Sequence, residues 1–156
     1  SIYERNFAAE QVAAAVARRL TAQGGAALLI DYGHEGPAIG DTLQAIHQGI
    51  FADPLAVLGD GDLTAHVDFA ACRQAAVRAA PVAVHGPVDQ GAFLIALGLR
   101  QRADRLKAAA AINVRAALES QVARLAGAAA MGRLFKVMAF VAKGWPVPAG
   151  FPTFAP

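Results

Sequence analysis

A Gly-Gly pair followed at once by AALLIDY (Ala26–Tyr32) is the feature that most constrains this chain. Its apolar residues run without polar alternation, as expected of a strand covered on both faces in a parallel sheet. The segment before it, Phe7–Gln23, is alanine-rich, and Val12, Val16 and Leu20 recur every fourth residue, which predicts a helix. Gly24-Gly25 ends that helix, because glycine takes the left-handed cap conformation at no steric cost. Helix, Gly-Gly, buried strand and loop make half of a doubly wound α/β unit. Ligands of such sheets sit beyond the carboxyl ends of the strands. Asp31, Tyr32, Gly33 and His34 therefore stand where chemistry is expected.

Downstream, residues 34–63 show no strong periodicity but carry Leu43, Ile46, Ile50, Phe51, Leu55 and Leu58, enough apolar side chains to pack. They predict an ordered lid or substrate loop containing a short helix, Thr42 to Phe51, with Asp41 as its N-cap and Pro54 as its stop. Leu63–Val67 reads as extended, and Asp68 as the N-cap of a helix over Phe69–Ala79. A second strand is expected at Pro81–His85, ended by Gly86-Pro87. A helix capped by Asp89 follows, with Phe93, Leu94 and Leu97 on its apolar face. Gly98 breaks it. Two further helices, Leu99–Ala110 and Ile112–Leu125, lead to a third strand at Leu134–Val141 and a Pro-rich surface tail over 143–156.

Composition narrows the function classes. The chain has 156 residues, enough for one core, and 56% of them are hydrophobic against 17% charged. No apolar run approaches the roughly 18 residues that a bilayer span needs, and SIYERNFAAEQ has no signal-peptide pattern. The single cysteine, Cys72, suits a reducing compartment, with the cytoplasm as the default. Seven acids lie between Asp31 and Asp68 with no Lys or Arg among them, whereas eleven Lys/Arg face three acids from Arg73 onward. An acidic loop on a mildly basic body suits a cationic ligand, although Asp53, Asp62 and Asp68 are equally good turn-formers and helix caps. The basic face Arg100, Arg102, Arg105 and Lys107 has no interleaved aromatics, which argues against nucleic acid. A metal-dependent hydrolase built from His34, Glu35, His47, Asp60, Asp62, His66 and Asp68 has suitable residue types but no ligand spacing. His66 and His85 each admit a structural reading beside a chemical one.

GGAALLIDYG (Gly24–Gly33), GDTLQA (Gly40–Ala45), ADPL (Ala52–Leu55), DLTAHVDF (Asp62–Phe69), HGPVDQGAFLIALG (His85–Gly98) and MGRLFKV (Met131–Val137) occur in the order they have in a known family. Over residues 8 to 141 the chain resembles the C-terminal half of the MidA-like S-adenosylmethionine-dependent methyltransferases. Gly49 departs from the family, which places a histidine there, and Cys72 replaces a usual leucine. The resemblance implies an α/β class I (Rossmann-like) seven-stranded sheet, with the three strands above as its fifth, sixth and seventh. It implies a methyltransferase half-domain at 1–142, including the 34–63 loop, followed by the tail. No G-x-G-x-x-G-like turn occurs in the sequence, so the cradle for the cofactor, S-adenosyl-L-methionine, is expected in a missing N-terminal half.

The same resemblance implies protein arginine N-methylation linked to respiratory complex I assembly, with a complex I subunit as substrate. The expected compartment is the mitochondrial matrix or a bacterial cytoplasm. Asp31, Tyr32 and His66 become the catalytic candidates, and His34, Thr42, Gln44, Asp62, Asp68 and Gln90 the substrate-binding ones. No metal is expected. The fragment alone is expected to be inactive and to self-associate through the 26–32 strand edge, unless that half is supplied. The alternatives are a non-catalytic protein-interaction module and, further off, the hydrolase.

Overall fold

The computed structural model describes residues 3–36, 40–56 and 59–152. Helix α1 (Phe7–Gln23) starts at Asn6, whose side chain accepts a hydrogen bond from the Ala9 N–H, and ends at Gly24 with φ +74°. Strand β1 (Ala26–His34) follows, two residues longer than expected. After β5 (Val67–Asp68), Asp68 caps α2 (Phe69–Ala79) through a bond from the Ala71 N–H. Strand β6 (Val82–Asp89) does not stop at Gly86-Pro87. It absorbs them as a cis peptide within an irregularity between His85 and Val88. Helices α3 (Gln90–Ala96), α4 (Leu99–Ala109) and α5 (Ile112–Ala126) come next. A short helix, α6 (Met131–Leu134), then leads into strand β7 (Phe135–Ala142).

The main sheet has the order β5-β1-β7-β6. Strand β7 runs antiparallel to both β1 and β6, while β5 is parallel to β1 and pairs only with its last two residues. Among the described residues most of the outer edge of β1 is therefore unpaired. Gly33 is required where β5 closes in, because a Cβ there would stand 2.2 Å from the Val67 carbonyl oxygen.

Two clusters form the core. On one face Leu29 and Ala27 join Met138, Phe140, Phe69 and the α1–α2 contact. On the other, Val137 and Ala139 lie under Phe93 and Phe151. This second layer covers β7 and β6 but stops short of β1, where Leu28 and Ile30 remain about half exposed. The expectation of a strand covered on both faces is thus met on one face. The α1 stripe is also corrected. Ala13, Ala17 and Leu20 are buried, while Val12 is 62% exposed, because the small side chains let α1 approach Cys72 and Ala76 of α2. Nor does the tail simply lie on the surface. Phe151 is buried, its ring 5.2 Å from that of Phe93.

Between β1 and β5 the expected helix at Thr42–Phe51 is absent. Strands β2 (Gln44–His47) and β3 (Ile50–Ala52) form a hairpin there, and β4 (Asp62–Thr64) completes a small antiparallel sheet of order β3-β2-β4. Its tight turn is Gln48-Gly49, both residues at positive φ (+50° and +80°), the geometry that matches strand twist in two-residue hairpins. Leu58, one of the apolar residues expected to pack in this loop, lies outside the described residues.

Candidate functional site at the strand ends

Strands β1, β5 and β6 are parallel, so their carboxyl ends gather on one side of the sheet, together with the start of β7 and the N-terminus of α1. Tyr32 is held there by two edge-on aromatic contacts, to His66 (centroids 5.7 Å apart) and to Phe135 (5.5 Å). Two catalytic candidates distant in sequence, Tyr32 and His66, are thereby brought together. Asp31 lies one residue earlier, exposed at the free edge. One of its oxygens accepts from the Tyr32 N–H, and the other has no hydrogen-bond partner among the described residues. An apolar trough of about 290 Å³ runs along that edge, lined by Ala9, Val12, Leu29, Ile30, Val67 and Phe69, with Asp31 also on its wall.

A second depression, about 420 Å³, lies beside His66 and Asp68 and is walled by Glu4, Arg5, Asn6, Phe7 and Leu43. Glu4 organises it. Its carboxylate accepts hydrogen bonds from the Thr42 N–H (3.0 Å), the Leu43 N–H (3.0 Å) and the Thr42 hydroxyl, and the Thr42 oxygen accepts from the His66 N–H (3.0 Å). The Thr42 hydroxyl and, against partial desolvation, the two backbone donors hold the Glu4 pKa below its ordinary value. A residue before α1 thus ties the small sheet to the strand ends.

The other expected site residues divide by what their side chains already do. Asp68 spends one oxygen on the α2 cap. The His34 Nδ1 meets the Gly36 carbonyl, a local turn contact. Gln44 and Asp62 lie on the small sheet, Gln44 half-buried and Asp62 exposed beside Ile46. Gln90 is set apart. It is buried, and its amide donates to the Leu125 carbonyl (2.9 Å), so that side chain is spent on holding α5. The expected Asp41 helix cap is instead an acceptor for the Leu43 N–H, and Asp53 accepts from Leu55 N–H in a turn. The hydrolase constellation does not assemble. His47 bonds the Asp60 carbonyl on the small sheet, and among the described residues no three His, Cys, Asp or Glu gather around one point.

Lys136 is the residue that sequence reasoning missed. At the start of β7 its ammonium lies 2.5 Å from Asp89 and 3.3 Å from Glu35, with the side chain 14% exposed. Burial pulls its pKa down, but the two carboxylates outweigh that and hold it above the ordinary lysine value. Asp89 consequently makes no cap bond to α3. The segment that has no base in sequence therefore receives one in space, and Glu35 is neutralised by it. A lysine flanked by Phe135 and Val137 in an apolar strand was the available signal.

Among the described residues no strand leads into a helix through a glycine-rich turn of the kind that cradles a nucleotide-type cofactor. Strand β5 enters α2 through Asp68-Phe69, and β6 enters α3 through Asp89-Gln90. The residues present do not by themselves fit a complete S-adenosyl-L-methionine site.

Residues 1–88 match a family model described as "Putative S-adenosyl-L-methionine-dependent methyltransferase", and the chain belongs to that family. It is similar to the "Protein arginine methyltransferase NDUFAF7 homolog, mitochondrial" of Drosophila melanogaster, 37% identical over 139 residues. That match takes in 89% of this chain and 32% of the fly protein. It is likewise similar to the "Protein arginine methyltransferase NDUFAF7, mitochondrial" of Rattus norvegicus, 41% identical over 56% of this chain and 19% of the rat protein. A crystal structure from Burkholderia thailandensis bound to S-adenosyl-homocysteine superposes with a TM-score of 0.73 at 28% identity, over 90% of this chain and 38% of that one. A native structure from the same organism gives 0.72 at 30% identity, over 82% of this chain and 36% of that one. The fold is thus α/β and resembles these structures. The chain spans about a third or less of the length of the curated relatives it matches.

Proposed function

We propose that this chain is the C-terminal part of a seven-stranded methyltransferase domain and forms the acceptor wall of a protein arginine N-methylation site. Strands β1, β6 and β7 correspond to the fifth, sixth and seventh of that sheet. Residues 1–142 are the half-domain, 34–63 the wall carried by the small sheet, and 143–156 a tail anchored through Phe151. One observation carries the reading. An acid-rich segment is mounted at the carboxyl ends of the parallel strands, in a chain whose relatives are named arginine methyltransferases.

S-adenosyl-L-methionine, when held by the rest of the domain, supplies the methyl group. This chain's residues orient the acceptor. A guanidinium is planar and donates in a fork, so it needs carboxylates fixed in position. Asp31, with one oxygen pinned by the Tyr32 N–H and the other without a partner among the described residues, suits that role. Tyr32 and His66, their rings locked edge-on, stand at the same strand ends, and His66 is the candidate proton acceptor. Asp62 and Thr42, with His34, Gln44 and Asp68 nearby, belong to the substrate side. Gln90 supports the fold from within.

The substrate is a protein, with a complex I subunit as the proposed case, in mitochondria or in a bacterial cytoplasm. The free edge and half-exposed apolar face of β1 are where further sequence of the domain, or a second copy of this chain, pairs. A second reading, a non-catalytic interaction module, is favoured by Ile50 and Phe51 of the small sheet and Leu55 in the turn after β3, each more than 70% exposed.

The test is methyl transfer by the full-length protein from S-adenosyl-L-methionine to candidate substrate proteins, mapped by mass spectrometry. Methylarginine should appear, and Asp31→Asn should lower turnover about ten-fold or more at unchanged thermal stability. Methylation confined to lysine or to a small molecule would overturn the arginine assignment. No transfer at all would leave the interaction module.

A further inference from the structure

The small sheet, of order β3-β2-β4, has two outer strands that differ in character. Edge strands are ordinarily kept from further pairing by charge or proline. Strand β4 carries Asp62, whereas β3 is Ile50-Phe51-Ala52, with neither. Ile50 is 72% exposed and Phe51 74%. The register puts them on opposite faces. Ile50 stands across from His47, on the face of Ala45 and Ala52, and Phe51 stands across from Ile46, on the face of Asp62. One flat partner surface does not cover both. An added strand does, because its successive side chains fall on alternate faces of the sheet.

The backbone points the same way. In a two-residue hairpin the flanking pair, here His47 and Ile50, exchanges its hydrogen bonds, so the next pair turns its N–H and C=O outward. In β3 those outward groups belong to Phe51. Among the described residues they take part in no turn, loop or cap bond of the backbone. Charge then selects the occupant. Asp53 follows β3 directly, and Asp60 is held at the other end, where its carbonyl oxygen meets the His47 Nδ1 at 2.8 Å. Asp60 and Asp62 are exposed and take part in no ion pair among the described residues. No Lys or Arg occurs between Asp31 and Asp68, and Lys136, which reaches Glu35, is shared with Asp89. A second copy pairing through the same edge would bring acids against acids, which opposes it.

We infer that the outer edge of β3 takes up an extended segment of the protein substrate, apolar at its centre and basic on both sides, as an added strand. The Phe51 N–H donates to the added backbone and the Phe51 carbonyl accepts from it. Apolar side chains of the segment cover Ile50 on one face and Phe51 on the other, and its Lys or Arg residues meet Asp53 and Asp60. Naming the partner as the substrate rests on the methyltransferase reading above. The edge and its charges do not.

The test is binding of short synthetic peptides to the full-length protein, followed by fluorescence anisotropy and hydrogen exchange. One peptide has valines at its centre and lysines on both sides. A second has glutamates in place of the lysines, and a third has glycines in place of the valines. The first should bind about ten-fold or more tightly than either of the others and should slow exchange of the Phe51 amide. N-methylation of its central valine should abolish that gain. Phe51→Thr, which keeps a strand-forming residue, should weaken it about ten-fold at an unchanged unfolding midpoint. Asp53→Asn with Asp60→Asn should remove most of the preference for lysines over glutamates. Equal binding of the glutamate peptide would overturn the inference, as would indifference to N-methylation. A Phe51 amide already protected without peptide would give the edge to the rest of the domain, and loss of self-association in Phe51→Thr would give it to a second copy. Either would overturn it too. The peptides hold no arginine and no cofactor is added, so failure here is distinct from failure of the methylation test.

Discussion

The main sheet and the small sheet are held by different physics. In the first, Val137, Met138 and Phe140 of β7 are fully buried between two layers, as is Phe69 of α2 against one face. In the second only Ala45 is fully buried, while Ile50 and Phe51 are exposed. The small sheet is tied to the body through Glu4, Thr42 and His66, by hydrogen bonds rather than by packing. Regions with few buried apolar contacts open first, so the body should behave as one cooperative unit and the small sheet as its most easily released part. The proposed acceptor wall for a protein substrate is well served by that arrangement.

The largest test of the contrast is Phe140→Ala. Removing a fully buried ring from a central strand should cost the body about 3–5 kcal/mol, read from the urea midpoint. A loss confined to the small sheet would break the comparison.

Lys136→Met should cost about 1–3 kcal/mol, because it strands the Asp89 and Glu35 carboxylates beside an apolar group. The Lys136 pKa is raised in the folded state, so its contribution is complete below the ordinary value of 10.5 and fades as pH rises through the higher folded value. The stability gap between wild type and variant should narrow on that alkaline side. A gap that stays constant there would detach the effect from the charge.

At the free edge, Ile30→Lys should weaken self-association by about ten-fold, as measured by sedimentation, since a charge on an edge strand opposes pairing. An unchanged dimer or aggregate would move the contact elsewhere.

The smallest effect is expected from Glu4→Gln. The loss is about 1 kcal/mol, kept low by solvent screening of the carboxylate. It should appear in hydrogen exchange as faster amides over 42–47 and 62–66, with β7 unchanged. Glu4 has a depressed pKa, so its contribution is full above the ordinary 4.5 and is lost as pH falls through the lower folded value. Mild acid should therefore release the small sheet in the wild type before the body. Simultaneous loss of both would merge the two regions into one unit.

Much of the body was legible because its signals are local. The α1 limits follow from helical spacing and Gly24, and the α2 start follows from Asp68. All three long strands were expected near where they stand, and the family resemblance placed them in one sheet. The small sheet was not legible, since strands of three or four residues carry too little pattern to outweigh a short helix. Gln48-Gly49 is a weaker turn signal than Asn-Gly. At the site, Asp31 and Tyr32 could be placed at a strand end from sequence, and Asp68 could be recognised as a cap. Their charge environment could not.

What the sequence by itself determined was the order of the body's long strands and helices, the strand expected to carry the site and the family. Each depends on residues adjacent in the chain or on matched motifs. What only the tertiary structure decided was which charges meet. Lys136 neutralises Glu35 across 101 positions, and Glu4 orders Thr42 across 38. Electrostatics and hydrogen bonding act through distance in space, which separation along the chain does not report.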